Sequence, residues 1–263
     1  MFSILVIGCG SMGSSLLRGV LSSYKSDITI SAFDIHQDKL EPFKNGKTQL
    51  FSKPPVDKKF DAIFLCVKPG DLEKTAAWVV TCLKEKTLVV SILAGTQIKT
   101  LKEYFAENPV VRAMPNICAT VGEAATAVCY SKGIEVEHEK LVTQIFSTIG
   151  IVEEIKEDLL DAVTGLSGSG PAYIFMIIEA LIDGGVKMGI PRNTASQLVL
   201  QTVRGSCEVV RTTGQHTAVL KDRVTTPGGT TIHAVHELEP HGLRSILIDA
   251  VVTATNQSKK IIK

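Results

Sequence analysis

The chain has 263 residues, of which 44% are hydrophobic and 21% are charged, and its 28 Lys and Arg residues nearly balance its 27 Asp and Glu residues. A formal net charge of +1 excludes the strongly basic surface that binds nucleic acid or an anionic membrane. The length predicts a globular protein of two domains. We therefore expect a small-molecule partner, with no nucleic acid and no membrane.

The first 156 residues alternate short β-branched runs with helical patterns. Strands are predicted over residues 4–7, 28–33, 62–67, 88–93, 110–114 and 125–130, and helices over residues 12–23, 71–83, 98–105 and 137–147. Several strands are apolar throughout, which is typical of strands covered on both faces. The pattern predicts an α/β, Rossmann-like doubly wound parallel sheet, and we assign residues 1–156 to a dinucleotide-binding domain.

A glycine-rich motif joins the first predicted strand directly to the first predicted helix. In that context the first glycine permits a tight turn, the second lets a pyrophosphate approach the backbone, and the third brings helix and strand together. The motif therefore predicts a nicotinamide dinucleotide site. Its residues are Gly8, Cys9, Gly10, Ser11, Met12 and Gly13.

The second predicted strand is followed by Asp34, about 20 residues beyond the last glycine, where an acidic side chain can accept hydrogen bonds from the adenine ribose. That arrangement favours NADH. A solvated loop aspartate is the alternative, and the nearby His36 and Lys39 could instead tolerate a ribose phosphate. Both NADPH and NADH therefore stay open as cofactors.

Two further strands lead into polar residues at the same predicted sheet edge. Val67 is the last residue of the strand over residues 62–67 and Lys68 follows it, while Asn116 follows the strand over residues 110–114. Because open α/β sheets bind ligands at the carboxyl ends of their strands, Lys68 is a candidate for a phosphate contact and Asn116 for a nicotinamide or substrate contact. An exposed lysine and a turn asparagine are the alternatives.

After residue 157 the strand signals stop, and apolar residues recur at helical spacing. Residues 173–181 are apolar on almost every side, so their helix must be buried all round. A helical domain of this size achieves such burial most easily by pairing with a second copy. We therefore predict an all-α substrate-binding and dimerisation domain over residues 157–263, and a homodimer. The clearest helical pattern comprises Leu243, Ile246, Leu247, Ala250, Val251 and Ala254.

A turn rich in threonine and glycine, residues 220–232, precedes the last helical segments. Its glycines let backbone N–H groups converge at the start of a helix, which can bind a small carboxylate without an arginine. By spacing, the helical half shows no nucleophile pair and no His-carboxylate dyad. Alcohol oxidation needs a base to remove the hydroxyl proton, so an alcohol substrate is disfavoured. A C=N substrate is more basic, so a hydroxyl such as that of Thr231 can suffice as proton donor.

The cysteines and histidines indicate a reducing compartment and no metal. Six cysteines are scattered without a Cys-x-x-Cys pair, which is typical of buried thiols in a cytoplasmic protein. His233 and His236 lie one turn apart, but no third ligand is evident, so we expect no metal site.

Three segments, residues 161–173, 183–191 and 220–232, closely resemble the Δ1-pyrroline-5-carboxylate reductases, which make L-proline, and the similarity spans nearly the whole chain. The resemblance implies hydride transfer from NADPH or NADH to the cyclic imine. It also implies a homodimer, often assembled into a decamer, with Thr231 hydrogen-bonding the ring nitrogen. The cofactor-lining residues that it implies are Ile7 to Met12, Val67, Lys68 and Ala94, and it implies that the backbone of Thr230 and Thr231 holds the substrate carboxylate. Thr226 and Gly229 of the same turn are further substrate-binding candidates.

The chain departs from the family pattern at three places. Arg223 stands where many members have asparagine, Ile117 and Cys118 follow Met-Pro-Asn, and Asp34 replaces neutral or basic residues suited to NADPH. We therefore expect NADH to be used at least as well as NADPH. A β-hydroxyacid dehydrogenase is a disfavoured alternative. The pattern of that family places an asparagine shortly after its lysine, whereas Lys187 is followed here by Met-Gly-Ile-Pro. A non-catalytic nucleotide-sensing regulator is another, although it has no need of the threonine-glycine turn.

Overall fold

The computed structural model describes residues 2–23, 28–44 and 46–261 of the chain. Within them, eight strands form one sheet in the order β3-β2-β1-β4-β5-β6-β7-β8. The strands are β1 Phe2–Ile7, β2 Ile28–Phe33, β3 Thr48–Phe51, β4 Ala62–Leu65, β5 Leu88–Ser91, β6 Val110–Met114, β7 Ala124–Tyr130 and β8 Gly150–Glu154.

The predicted doubly wound sheet is confirmed, with one correction to its direction. Strand β7 runs antiparallel to β6, with Met114 paired to Ala127, whereas the other pairings are parallel. The reason is the short connection over residues 115–123, which contains one 3-10 turn, Ile117–Val121, and no crossover helix. A parallel return to the same sheet needs a longer crossover. The predicted parallel sheet is therefore a mixed sheet, with one antiparallel pairing between β6 and β7.

Helices cover both faces of the sheet. Alternate residues of a strand point to opposite faces, so Phe64 of β4 joins one buried cluster while Ile63 and Leu65 join the other. Strand β4 is buried along its whole length, in agreement with its continuous apolar run. The helices of this part are α1 Ser11–Ser22, α2 Leu72–Val79, α3 Ile98–Phe105 and α4 Val136–Phe146.

The remainder of the chain is helical, as predicted. A π-helical turn, Thr164–Gly168, separates the short α5 from α6. Two compact units are present: residues 1–169 with residues 252–263, and residues 170–251. The predicted domain boundary after residue 156 stays a prediction. The helices are α5 Leu160–Val163, α6 Gly170–Lys187, α7 Arg192–Thr213, α8 Thr217–Val224, α9 Thr230–Leu238 and α10 Leu243–Ile261.

The second unit exposes most of its apolar residues in the single chain. Ala195 is its one buried hydrophobic side chain among the described residues, while Phe175 is 60% exposed and Met176 is 69% exposed. By length and composition alone, the helical stretch Glu157–Lys187 is also long and apolar enough to cross a membrane. Within its most apolar 18 residues, 11% are buried. A core helix without its packing partner has the same appearance, so this surface needs a cover.

The end of α10 packs within the first unit. The hydroxyl of Ser258 donates a hydrogen bond of 2.7 Å to Asp161 of α5, and both side chains are buried. Residues near the end of the chain therefore complete the polar packing beneath α5.

Candidate active site

A cavity of about 660 Å³ lies at the carboxyl edge of the sheet. The parallel register aligns Ile7 with both Phe33 and Leu65, so the ends of β1, β2 and β4 meet at this edge. The cavity is therefore built from the segments that follow three neighbouring strands, as the sequence predicts. Six of the predicted cofactor residues line it: Ile7, Gly8, Gly10, Asp34, Val67 and Lys68.

The glycine-rich loop has the geometry that a pyrophosphate requires. Gly8 adopts a φ of +91°, and a Cβ there would lie 2.6 Å from the Cys66 carbonyl oxygen. A Cβ on Gly10 would meet nothing within 4 Å, so the backbone is open on that side. Helix α1 begins after Gly10 with no side-chain cap, which leaves its first N–H groups available to an anion. The residues present fit a dinucleotide.

The carboxylate of Asp34 joins the glycine-rich loop to the end of β2. Its Oδ2 accepts a 2.6 Å hydrogen bond from the Cys9 backbone N–H, and its Oδ1 accepts one of 2.8 Å from the His36 N–H. The side chain of Lys39 lies 3.9 Å from Oδ2. The sequence predicts Asp34 at this edge, but it does not reveal that both oxygens bind backbone.

Lysines bring positive charge to the same cavity. Lys39, Lys53, Lys68 and Lys74 line it, against the carboxylates of Asp34 and Asp71. This excess of cations suits the two phosphates of a dinucleotide. Sequence reasoning missed Lys53 and Lys74, because one follows the short strand β3 and the other lies on α2, where a lysine pattern resembles any solvated face.

An aromatic pair closes one side of the cavity. The rings of Phe33 and Trp78 pack edge to face with centroids 5.3 Å apart, and both line the cavity. Trp78 is the single tryptophan of the chain, so its fluorescence reports on this cavity alone.

The other predicted cofactor residues lie outside the cavity lining. Cys9, Ser11, Met12 and Gly13 belong to the loop and to α1, and Ala94 follows β5. The amide of Asn116 donates 3.0 Å to the Ser167 carbonyl oxygen of the π-helical turn and accepts from the Cys118 N–H. Asn116 thus stabilises two turns, and its contact with a cofactor stays a prediction.

The threonine-glycine turn ends at the start of α9. Gly228 has a φ of +65°, Gly229 is the N-cap residue without a side-chain cap, and Thr230 begins the helix. The Gly229 N–H donates a 3.0 Å hydrogen bond to the Thr226 carbonyl oxygen, which closes the turn. The first N–H groups of α9 have no intrahelical acceptor, so the turn can bind a carboxylate there.

Three thiols of the first unit, those of Cys9, Cys66 and Cys129, are kept protonated. Burial, with a smaller contribution from Asp34, raises the pKa of Cys9 to about 12. Burial raises the pKa of Cys129 to about 11, and it also raises that of Cys66. Because the thiolate is the nucleophile, these cysteines cannot serve as nucleophiles near neutral pH.

We expect iodoacetamide to leave Cys9 and Cys129 unmodified in the native protein near pH 8, since a raised pKa means that the thiolate forms only well above that pH. Peptide mass spectrometry measures the modification of each residue. The same peptides should be modified fully in concentrated guanidinium chloride. Rapid modification of Cys9 in the native protein would contradict the prediction.

No group of three or more metal-ligating side chains occurs among the described residues. His233 and His236, the pair noted in the sequence, both lie on α9.

Comparison with known proteins agrees with the fold. The family model described as pyrroline-5-carboxylate reductase dimerisation matches residues 157–261, and that described as coenzyme F420-dependent NADP oxidoreductase matches residues 3–95. A pyrroline-5-carboxylate reductase of Arabidopsis thaliana is 40% identical over 263 residues, covering 99% of this chain and 95% of the relative. One of Methanosarcina acetivorans is 40% identical over 265 residues, covering 98% and 97%.

Solved structures give the same result. Pyrroline-5-carboxylate reductase from Coxiella burnetii has a TM-score of 0.92 at 30% identity, covering all of this chain and 99% of that one. Plasmodium falciparum pyrroline carboxylate reductase, solved with NADP bound, has a TM-score of 0.85 at 32% identity, covering 100% and 98%.

Fold, cavity and relatives lead to one conclusion. The first part of the chain is an NAD(P)-binding domain with a mixed sheet, and the helical part is a dimerisation domain that forms a homodimer. The matches extend over nearly the full length of both this chain and its relatives. The chain therefore belongs to the pyrroline-5-carboxylate reductase family, the NAD(P)H-dependent oxidoreductases of proline biosynthesis.

Proposed function

We propose that this chain reduces Δ1-pyrroline-5-carboxylate to L-proline mainly by holding the substrate ring in a fixed orientation. Thr231 is the one side chain that acts on the reacting ring. The observation that carries this proposal is the uncapped start of α9 at Gly229, beside two threonines. When bound, the reduced nicotinamide supplies the hydride that adds to the imine carbon.

The substrate carboxylate binds at the turn. The backbone N–H groups of Thr230 and Thr231 donate to its oxygens, and the positive end of the α9 dipole favours the anion. Thr226 shapes this turn, because a Cβ on Gly229 would collide with its Oγ1. Fixing the carboxylate fixes the ring, and such orientation is a large part of the rate enhancement of many enzymes.

The hydroxyl of Thr231 donates a hydrogen bond to the ring nitrogen. Hydride addition places an electron pair on that nitrogen, so a proton must be present on it or arrive there as the C=N bond is reduced. The nitrogen of an imine is basic enough that a weakly acidic, well-placed donor suffices. This accounts for a site that needs neither a strong base nor a metal.

The cofactor residues that we propose are those predicted from the sequence. Gly8 and Gly10 bring the backbone to the pyrophosphate, while Lys68, at the N-cap of the 3-10 turn after β4, supplies positive charge. Val67 lines the same cavity. Asn116 and Ala94 follow β6 and β5, on the side where the nicotinamide would extend.

The enzyme is a soluble homodimer, and we propose the cytoplasm as its compartment and a decamer as its higher assembly. The six cysteines are free thiols, as a reducing compartment requires. The decamer rests on the family resemblance alone.

The exposed apolar face of α6 should be covered in the dimer. Replacing Phe175, which is 60% exposed in the single chain, with glutamate is expected to abolish dimerisation and activity together, because a charge cannot be buried unpaired. Light scattering gives the mass. Ile151→Glu is the matched control, since Ile151 is 63% exposed on β8 of the other unit and should leave the dimer intact. A dimeric Phe175→Glu protein would contradict the assignment of this face.

One comparison of substrates tests the function. NADH and NADPH oxidation should be measured with pyrroline-5-carboxylate, and NAD reduction with 3-hydroxyisobutyrate. Turnover of the imine alone supports the proposal. Turnover of the hydroxyacid alone would replace it with a β-hydroxyacid dehydrogenase, and cofactor binding without turnover of either would indicate a regulator.

A further inference from the structure

We infer that Asp34 makes the cofactor cleft selective for NADH over NADPH, because its carboxylate is fixed at the ribose position by two backbone hydrogen bonds. The inference rests on the cofactor cleft proposed above, but it does not depend on the imine substrate.

The carboxylate of Asp34 cannot move aside. One oxygen accepts from the Cys9 N–H at 2.6 Å and the other from the His36 N–H at 2.8 Å. The two donors belong to different segments, the glycine-rich loop and the residues after β2. Asp34 is 5% exposed, so any rotation would leave the buried Cys9 N–H and a buried charge without partners.

The Asp34 carboxylate can still accept hydrogen bonds on the side that faces the cavity. A carboxylate has about four lone-pair positions, and the two backbone bonds use two of them. Lys39 lies 3.9 Å from Oδ2, which is longer than a hydrogen bond. Asp34 also lines the cavity, so the remaining positions can accept hydrogen bonds from the two hydroxyls of an unmodified adenine ribose.

A 2′-phosphate on the adenine ribose weakens binding at this carboxylate. It removes a hydroxyl donor and brings about two negative charges next to a carboxylate that cannot withdraw. Lys39 is the nearest cation, and its side chain is 40% exposed. It must then be shared between Asp34 and the phosphate. Since the fold of this family accepts NADP in the Plasmodium falciparum relative, the preference depends on the residues at this edge.

The negative charge of Asp34 opposes the attraction of the neighbouring basic groups for a phosphate. His36, Lys39 and Lys53 all line this cavity. Without the carboxylate, these groups would favour a phosphate. Asp34 therefore decides the sign of the preference, and its replacement should shift the preference towards NADPH. It is also a positioning residue for the glycine-rich loop, through the Cys9 N–H.

The test is a binding measurement that uses no imine substrate. Trp78 lines the same cavity and is the single tryptophan, so quenching of its fluorescence gives dissociation constants for NADH and NADPH. Calorimetry with ADP-ribose and its 2′-phosphate isolates the ribose end. The wild-type protein should bind each unphosphorylated ligand at least about tenfold more tightly. Equal or tighter binding of the phosphorylated ligands would overturn the inference without any variant.

The variants then assign the effect to one side chain. Asp34→Asn should shift the ratio of the two dissociation constants by about tenfold or more towards NADPH. The ratio cancels any damage to the loop, because both cofactors share the pyrophosphate. Asp38→Asn is the matched control, since it removes an exposed carboxylate from the same segment. An unchanged ratio in Asp34→Asn, or an equal shift in Asp38→Asn, would overturn the inference.

A double variant tests the role of the lysine. Asp34→Asn combined with Lys39→Gln should lose most of the gained NADPH affinity, because Lys39 is the cation released by removal of the carboxylate. Full retention of that gain would assign the phosphate to another group. A protein that selects NADH but does not reduce the imine would refute the proposed function while leaving this inference intact.

Discussion

Replacing Gly13 with alanine is expected to destabilise the first unit by about 3 kcal/mol or more, at the upper end of what overpacking costs. A Cβ at this position would lie well inside van der Waals contact with the Gly8 carbonyl oxygen and 3.3 Å from the Cβ of Cys66. Gly13 is buried in α1, so helix and loop would have to separate. Urea denaturation followed by circular dichroism measures the loss.

Gly10→Ala is the matched control for Gly13→Ala. A Cβ on Gly10 meets nothing within 4 Å, so the urea midpoint should stay near that of the wild type. The new methyl group would instead occupy the open side of the loop and weaken cofactor binding. The two variants thus separate packing from ligand approach. Similar urea midpoints for both would show that the close contact at Gly13 relaxes at little cost.

Replacing Thr231 with alanine is expected to lower kcat/KM for the imine by about tenfold to a thousandfold, the scale of removing one positioned proton donor. The methyl side chain cannot donate to the ring nitrogen, while the backbone N–H that holds the carboxylate remains. Steady-state kinetics with saturating NADH measures the effect. Most of the loss should therefore appear in kcat, with a smaller change in KM.

Thr231→Ser distinguishes a chemical role from a structural one. Serine keeps the hydroxyl and removes one methyl group, so this variant should recover most of the activity that alanine loses. Thr231 is partly exposed at the start of α9, and neither substitution should change the melting temperature greatly. A serine variant as slow as the alanine variant, or an alanine variant as fast as the wild type, would remove the hydroxyl from the mechanism.

The sequence predicts the sheet well where the strands are central. Strands β1, β2, β4, β5 and β6 are buried, apolar and close to their predicted bounds. The two strands that the sequence does not predict, β3 and β8, form the edges of the sheet. Edge strands carry polar residues on their exposed positions, so Thr48 and Gln49, or Glu153 and Glu154, give no continuous apolar signal.

Some features of the candidate site follow from residues adjacent in the sequence, whereas others depend on residues that only the fold brings together. The glycine-rich loop and the threonine-glycine turn are local patterns, because the spacing of glycines determines backbone geometry directly. The bonds from Asp34 to Cys9 and His36 join residues that the fold brings together. Composition shows that an aspartate is present, but it does not show which of its oxygens are already occupied.

The expected burial of residues 173–181 illustrates a third limit. The sequence predicts a helix that is buried all round, but α6 has no fully buried residue in the single chain. Apolar periodicity indicates that a helix surface is buried, but it does not show whether the same chain or a second copy packs against that surface. A dimer-dependent core and an ordinary core therefore look the same in sequence.

The helical unit is inserted into the first unit, because residues 252–263 pack with the first unit, as the hydrogen bond between Ser258 and Asp161 shows. The helical unit, residues 170–251, lies between two parts of the first unit in the sequence, so its polypeptide leaves that unit once and returns to it once. No single peptide cleavage separates two independent modules. A truncation before residue 252 would leave the buried Asp161 carboxylate without the hydroxyl that donates to it, so the packing of the nucleotide-binding part depends on residues that follow the helical unit in the sequence.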